Sequence, residues 1–439
     1  MRLKIILGIG AAFAVLAGGA ALAYAWRSEI APIATPSPAS FDPEIVARGK
    51  ALALIGDCRS CHTAPAGRVF AGGLAMPTPF GIIYSTNITP DRETGIGSWS
   101  GEAFARAMRE GVDRQGRHLY PAFPYDHFTL TNSEDIKALY AYFMTREPVS
   151  AKTPANQLPF PISIRLVLAG WKLLFLDQRQ LQPDSAKDER WHRGRYLVEG
   201  LGHCGGCHTP RNLMGAEKKA HAFEGGEVEG WRAYALGKTS KAPIPWTADA
   251  LETYLAEGFH PDHGVARGPM AAVAENLSQV PRQELAAMAT YLASLGPAAA
   301  ASLSEPAAVA TPSMPQSGGL QVATPPAQSD SGARLYANAC ASCHDSGRTL
   351  PLGAVPLRVS TVVSGEGPEN LVTLILNGVP ATNSSTAPVM PGFGAVMTDG
   401  QIMSLARYLR RDLAGRSEWP SLEATLRKAR AAQAASRLK

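Results

Sequence analysis

The chain has 439 residues, a length that suggests about three domains. Hydrophobic residues make up 45% and charged residues 18%, below the roughly one quarter usual for soluble domains, so some surface is expected to be covered by partners or membrane. The net charge is +5 and no basic run is interleaved with aromatics, so nucleic acid is excluded as an expected partner.

In chain order, Arg2 and Lys4 precede an uncharged stretch from Ile5 to Trp26. That stretch is long enough to span a bilayer as a helix. It also serves as a signal peptide, because Ala21-Leu22-Ala23 and Ala23-Tyr24-Ala25 both offer small-residue cleavage sites. Residues 1–26 are therefore read as a signal peptide or membrane anchor. The basic residues keep the N-terminus inside and send the rest of the chain out of the cytoplasm.

All six cysteines fall in three copies of one pattern: Cys58-Arg-Ser-Cys61-His62, Cys204-Gly-Gly-Cys207-His208 and Cys340-Ala-Ser-Cys343-His344. Each reads as C-x-x-C-H, the attachment signal for c-type haem. Two thiols on one turn reach the two vinyl groups of a porphyrin, and the following histidine ligates the iron on its proximal face. A redox C-x-x-C, half a zinc site or a disulfide framework leaves unexplained why histidine follows the second cysteine each time. Three haem c groups are expected.

The chain repeats around these motifs. A helical segment with one glycine precedes each, at Arg48-Gly49-Lys50, Arg193-Gly194-Arg195 and Ser331-Gly332-Ala333. A second helical pattern closes each repeat and places Tyr142, Tyr291 and Tyr408 at equivalent positions. Glycine on the first helix and an aromatic on the last suit two helices crossing closely. Between them, Ser100 and Thr247 are expected helix N-caps, and those helices are expected to end at Gly111 and Gly258, with Gly378 as the third counterpart. Twelve residues beyond these glycines stand Phe123, Met270 and Met390. Met270 follows Gly268-Pro269, and Met390 lies in Pro388-Val-Met-Pro-Gly392. A methionine on a proline-stiffened loop is a natural sixth iron ligand.

The expected organisation is mainly α. Cytochrome c domains span 41–146, 188–296 and 330–413, with a connecting segment at 147–187, a Pro/Ala/Ser-rich linker at 297–329 and a basic tail at 414–439. The connecting segment holds the apolar run Leu166–Leu176, too short to span a bilayer; it reads as core packing or as an interfacial segment. The basic tail reads as a solvated face or as a contact for a partner or lipid headgroups.

Two runs carry a resemblance. Thr78-Pro-Phe-Gly-Ile-Ile-Tyr-Ser-Thr-Asn-Ile-Thr-Pro-Asp91 with Thr94-Gly-Ile-Gly97, and Gly200-Leu-Gly-His-Cys-Gly-Gly-Cys-His-Thr-Pro-Arg-Asn212, resemble the triheme cytochrome c subunits of membrane-bound bacterial dehydrogenases. The resemblance implies three tandem class I cytochrome c domains on the periplasmic side of the cytoplasmic membrane. It implies electrons taken from a catalytic subunit (a quinoprotein, flavoprotein or molybdenum hydroxylase, the last with an iron-sulfur small subunit) and passed to ubiquinone or a terminal oxidase. It agrees with Met270 and Met390 as distal ligands of the irons held by His208 and His344.

Phe123 departs from that pattern. The alcohol dehydrogenase type carries Tyr-Pro-Ala-Met-Pro-Tyr where this chain has Tyr120-Pro-Ala-Phe-Pro-Tyr125, and phenylalanine cannot ligate iron. The variant with Asp126-His127-Phe128 looks more like cytochromes that accompany molybdenum hydroxylases acting on aldehydes or N-heterocycles such as nicotinate. For the haem bound through Cys58, Cys61 and His62, three outcomes stay open: an open iron behind Phe123, Met76 from a Gly-Pro-rich loop, or His127 as a second histidine, with His118 in reserve. His127 is preferred; a bis-histidine haem sits at lower potential and would accept the electron first. An open iron would instead suit a self-sufficient, peroxidase-like enzyme, the alternative to an electron-transfer subunit.

Overall fold

The computed structural model describes residues 2–297, 331–348, 354–380 and 388–437. The linker expected at 297–329 lies outside the described residues except for Pro297. The chain divides into two compact units, Met1–Gly206 with Gln279–Glu284, and Cys207–Ser278 with Leu285–Lys439.

In the first unit, α1 (Arg2–Ala25) leads into a strap over residues 26–33. The strap is bonded down by backbone pairs Ile30–Arg114 and Ile33–Ser98 and by Arg106 Nη1 donating to the Ser28 carbonyl at 2.8 Å. Among the described residues no helix is long and apolar enough to cross a membrane. The side chains of residues 2–11, 13 and 14 in α1 lie outside those described. Then follow α2 (Pro43–Ile55), α3 (Cys58–His62), the hairpin β1 (Ala75–Thr78) and β2 (Gly81–Tyr84), α4 (Gly101–Glu110), the single turn α5 (Tyr125–Phe128) and α6 (Ser133–Met144). Ser100 caps α4 by accepting from Ala103 N–H, and Gly111 ends it in the left-handed region, as expected.

Helix α2 packs against α6 at the glycine. A Cβ on Gly49 would overlap the Ala138 carbonyl and lie 2.8 Å from the Tyr142 Cβ, so only glycine admits this crossing. Around it, Leu52, Phe70, Phe104, Met108, Leu139 and Phe143 form one core. The connecting segment contributes α7 (Leu168–Phe175). One side of it packs inward and the other does not: Leu168 and Trp171 are buried, while Leu173 and Leu174 are 68% and 65% exposed. Next come α8 (Glu189–Tyr196), a kinked turn over Leu197–Leu201, and α9 (Gly205–His208), where the chain passes into the second unit.

The second unit holds hairpin β3 (Gly226–Val228) and β4 (Trp231–Ala233), α10 (Ala248–Glu257) capped by Thr247 and Gly258, the short pair β5 (Phe259–His260) and β6 (Gly264–Val265), α11 (Pro269–Leu277) and most of α12 (Arg282–Leu295). After the linker come α13 (Ser331–Ala339), α14 (Ala341–His344), α15 (Thr361–Ser364), α16 (Glu369–Asn377), α17 (Asp399–Tyr408) and α18 (Leu422–Arg437). The Gly49 crossing recurs at α13 and α17, where a Cβ on Gly332 would overlap the Ser404 carbonyl and lie 2.7 Å from the Tyr408 Cβ. The basic tail does more than solvate: Trp419, Leu422 and Leu426 are buried in this core, and Arg430 Nε bonds Asp399 at 2.8 Å. Periodicity in an alanine-rich, basic run hides three apolar residues, so the sequence reads it as surface.

Candidate haem sites

Each C-x-x-C-H motif forms a short helical turn, on α3, α9 and α14. None of the six cysteines is in a disulfide, which removes the disulfide reading. Burial pushes the Cys58 thiol up to about 12 and the Cys340 thiol up to about 11.

The histidines share one geometry. His62 Nδ1 lies 2.6 Å from the Thr86 carbonyl, His208 Nδ1 2.7 Å from the Tyr234 carbonyl, and His344 Nδ1 2.8 Å from the Val355 carbonyl. A carbonyl only accepts, so in each ring Nδ1 donates. Burial lowers the pKa of His62 and His208, holding both rings neutral with the lone pair on Nε2. An iron-binding histidine needs that arrangement: one nitrogen fixed by a backbone acceptor, the other basic and directed. The donor set fits haem c at all three positions. The carbonyl partners have no sequence signature; only the fold supplies them.

Of the two candidate distal methionines, Met270 sits differently from expectation, and Met390 lies in the expected proline-flanked loop. Met270 is not on a loop but in the first turn of α11. Gly268 before it has φ +58° and lies against the indole of Trp231, where a Cβ would intrude. Strand β4 and its neighbour Tyr234 thus touch both His208 and the Met270 turn. Met390 pairs with Val379 in an antiparallel bridge, N–H to carbonyl at 2.8 and 2.9 Å. Both methionines are half-buried.

Phe123 packs on the first core with its ring 5.3 Å from that of Phe128, edge to face. Met76 is not in a flexible loop: it is in β1, paired with Ile83. His118 is neither a ligand nor a surface histidine. Nε2 donates to the Ala25 carbonyl at 2.8 Å, and Nδ1 accepts from Lys172 Nζ at 2.9 Å, so both nitrogens are used. His127 Nδ1 lies 2.7 Å from the Glu199 carbonyl, the same bond that the three motif histidines make.

Known proteins share this pattern. Residues 327–409 match the family model described as cytochrome c oxidase, cbb3-type, subunit III. The chain is 38% identical over 392 residues to the fructose dehydrogenase cytochrome subunit of Gluconobacter japonicus, covering 85% of this chain and 80% of that one. It is 38% identical to the gluconate 2-dehydrogenase cytochrome c subunit of Pantoea cypripedii, covering 83% and 85%. The chain belongs to the family of dehydrogenase cytochrome c subunits. A further relative is a nicotinate dehydrogenase subunit of Pseudomonas putida, 45% identical over 95% of this chain; the chain spans about a third (34%) of that protein's length. A cytochrome c domain implies haem c, and these relatives are named as the cytochrome subunits of dehydrogenases, the electron-transfer rather than the catalytic component. The peroxidase-like alternative is thereby set aside.

Proposed function

We propose that this cytochrome subunit carries three haem c groups in three class I cytochrome c domains and relays electrons from a catalytic dehydrogenase to ubiquinone or a terminal oxidase. The observation that carries the reading is the threefold recurrence of one geometry: C-x-x-C-H on a helical turn, with histidine Nδ1 donated to a downstream carbonyl. The haems supply one-electron Fe(III)/Fe(II) chemistry. The chain's own residues hold and orient them: six cysteines as thioether anchors, His62, His208 and His344 as proximal ligands, and Met270, Met390 and His127 as distal ligands.

The partner is read as a molybdenum hydroxylase with an iron-sulfur small subunit. Two features support this over a flavoprotein or quinoprotein: Phe123 in place of methionine, and 45% identity to a nicotinate dehydrogenase subunit against 38% to the fructose and gluconate relatives. The reading of residues 1–26 as a signal peptide or anchor supports a location on the periplasmic side of the cytoplasmic membrane. Affinity purification of tagged full-length protein, with metal analysis of the co-purifying subunit, tests the partner. Stoichiometric molybdenum is expected; a bound flavin or quinone cofactor without molybdenum would overturn this choice.

A further inference from the structure

We propose that His203 is a positioning residue that couples the first haem electronically to the second; this rests on the three-haem reading above. Cys58 and Cys204 belong to the same compact unit. His203 Nε2 lies 3.3 Å from the Gly56 carbonyl oxygen, and since that oxygen only accepts, the imidazole donates. From the Cys58 sulfur the chain runs back through Asp57 to the Gly56 carbonyl. From the His203 ring it runs forward, through one peptide bond, to Cys204. A single hydrogen bond therefore closes an otherwise covalent route between two thioether anchors.

The junction is closely built. A Cβ placed on Gly56 would meet Leu201 Cδ1 at 3.3 Å and the Cys58 sulfur at 3.4 Å, so a side chain there would crowd Leu201. His203 itself adopts φ +37°, a left-handed conformation that costs free energy in a residue with a side chain. Strain at a non-glycine residue persists when its surroundings hold it, and here they do. Its ring centroid is 5.6 Å from Phe128 and 6.4 Å from His127.

A polar frame fixes the two segments. Tyr196 O–H donates to Asp135 at 2.7 Å and accepts from Asn132 N–H at 3.0 Å. Arg193 lies 3.6 Å from the same carboxylate, and His127 Nδ1 donates to the Glu199 carbonyl. Asp135 is fully buried, so its position is set by these partners. The helix entering the second motif is thus tied to the helix closing the first repeat, with His203 at the contact.

The step is simple in balance. With both haems bound, one electron would pass from the first iron to the second, with no bond formed or broken and no proton moved; the chain's own part is the hydrogen bond from His203 to the Gly56 carbonyl. The test uses full-length holoprotein. Pulse radiolysis reads the rate of electron equilibration between the two haems, potentiometry their midpoint potentials, and pyridine haemochrome the haem content. His203→Phe keeps an aromatic ring without the donor, and His203→Gln restores a donor. We expect unchanged potentials, equilibration roughly tenfold slower in the Phe variant, and recovery to within about threefold of native in the Gln variant. Native rate in the Phe variant, equal slowing in both variants, or a potential shift that accounts for the slowing would each overturn the proposal. Should His203→Phe load fewer haems than the native chain, Tyr196→Phe loosens the frame away from the motif; it should slow equilibration, and an unchanged rate would refute the coupling. Fewer than three haems in the native protein would instead sink the reading on which this rests.

Discussion

At the scale of single residues, iron ligation is decided by which nitrogen or sulfur has a lone pair to give. Thioether ligation raises the haem potential relative to bis-histidine. Met270→Ala and Met390→Ala should each abolish one sulfur-to-iron charge-transfer band at the red edge of the visible spectrum, read in the oxidised full-length protein. A band that survives removes that methionine from the ligand set. For the proposed first haem, the ligand put forward is His127, which places Nδ1 on the Glu199 carbonyl as the motif histidines do on theirs. Low-temperature EPR of the native chain should show only low-spin iron, and His127→Ala should convert one signal to high spin. A low-spin set unchanged in the variant rules His127 out. The covalent part of these sites is legible in the sequence because thioether chemistry demands a fixed spacing. The supporting acceptors Thr86, Tyr234 and Val355 are not, because a backbone carbonyl is the same in every residue.

At the scale of elements, close approach and buried charge set the constraints. Gly49→Ala drives a methyl group into the Ala138 carbonyl and should cost about 2–4 kcal/mol by chemical denaturation. That glycine is legible from its recurrence eight to ten residues before each motif. The docking of α7 is not, because Leu166–Leu176 is apolar on all sides except at Lys172. The structure buries Lys172 with Nζ on the Glu110 and Gly111 carbonyls, both at 2.6 Å, and on His118. A cation there caps the carbonyl end of α4. Burial nonetheless lowers its pKa from 10.5 to about 7. A lowered pKa means fewer protons bound folded than unfolded between those two values, so this group makes stability rise with pH from about 7 towards 10.5. The melting temperature should climb over that window in the native chain. Lys172→Met should flatten the climb while lowering stability by about 1–3 kcal/mol, from carbonyls left without a donor. An equally steep climb in the variant would assign the effect to other groups.

At the scale of the whole molecule, each compact unit holds a junction between successive repeats. In the first unit it is the Asp135 frame around His203. In the second, Asn370 pairs with the backbone of Arg232 on β4, accepting at 2.8 Å and donating at 3.0 Å, while Arg232 faces Glu369 at 3.4 Å. The Arg48–Asp135 pair of the first repeat recurs as Arg193–Glu284 in the second and ends there, with Ser331 and Gln401 at the third counterparts. Under the proposed three-haem reading, such an arrangement suits transfer in chain order. It also bears on the N-terminus. Ala25, one of the expected cleavage positions, is buried at the end of α1, and its carbonyl accepts from His118. Cleavage there removes the acceptor and leaves a buried imidazole N–H unpaired, a cost of about 1–3 kcal/mol. Retention of α1 as an anchor keeps the bond. Denaturing intact-mass measurement of protein extracted from membranes reads both features at once, because thioether-linked haem stays with the polypeptide. The expected mass is the chain with α1 retained plus three haems. A mass beginning at Tyr24 or Trp26 would make α1 a signal peptide, and two haems or fewer would remove one repeat from the electron path.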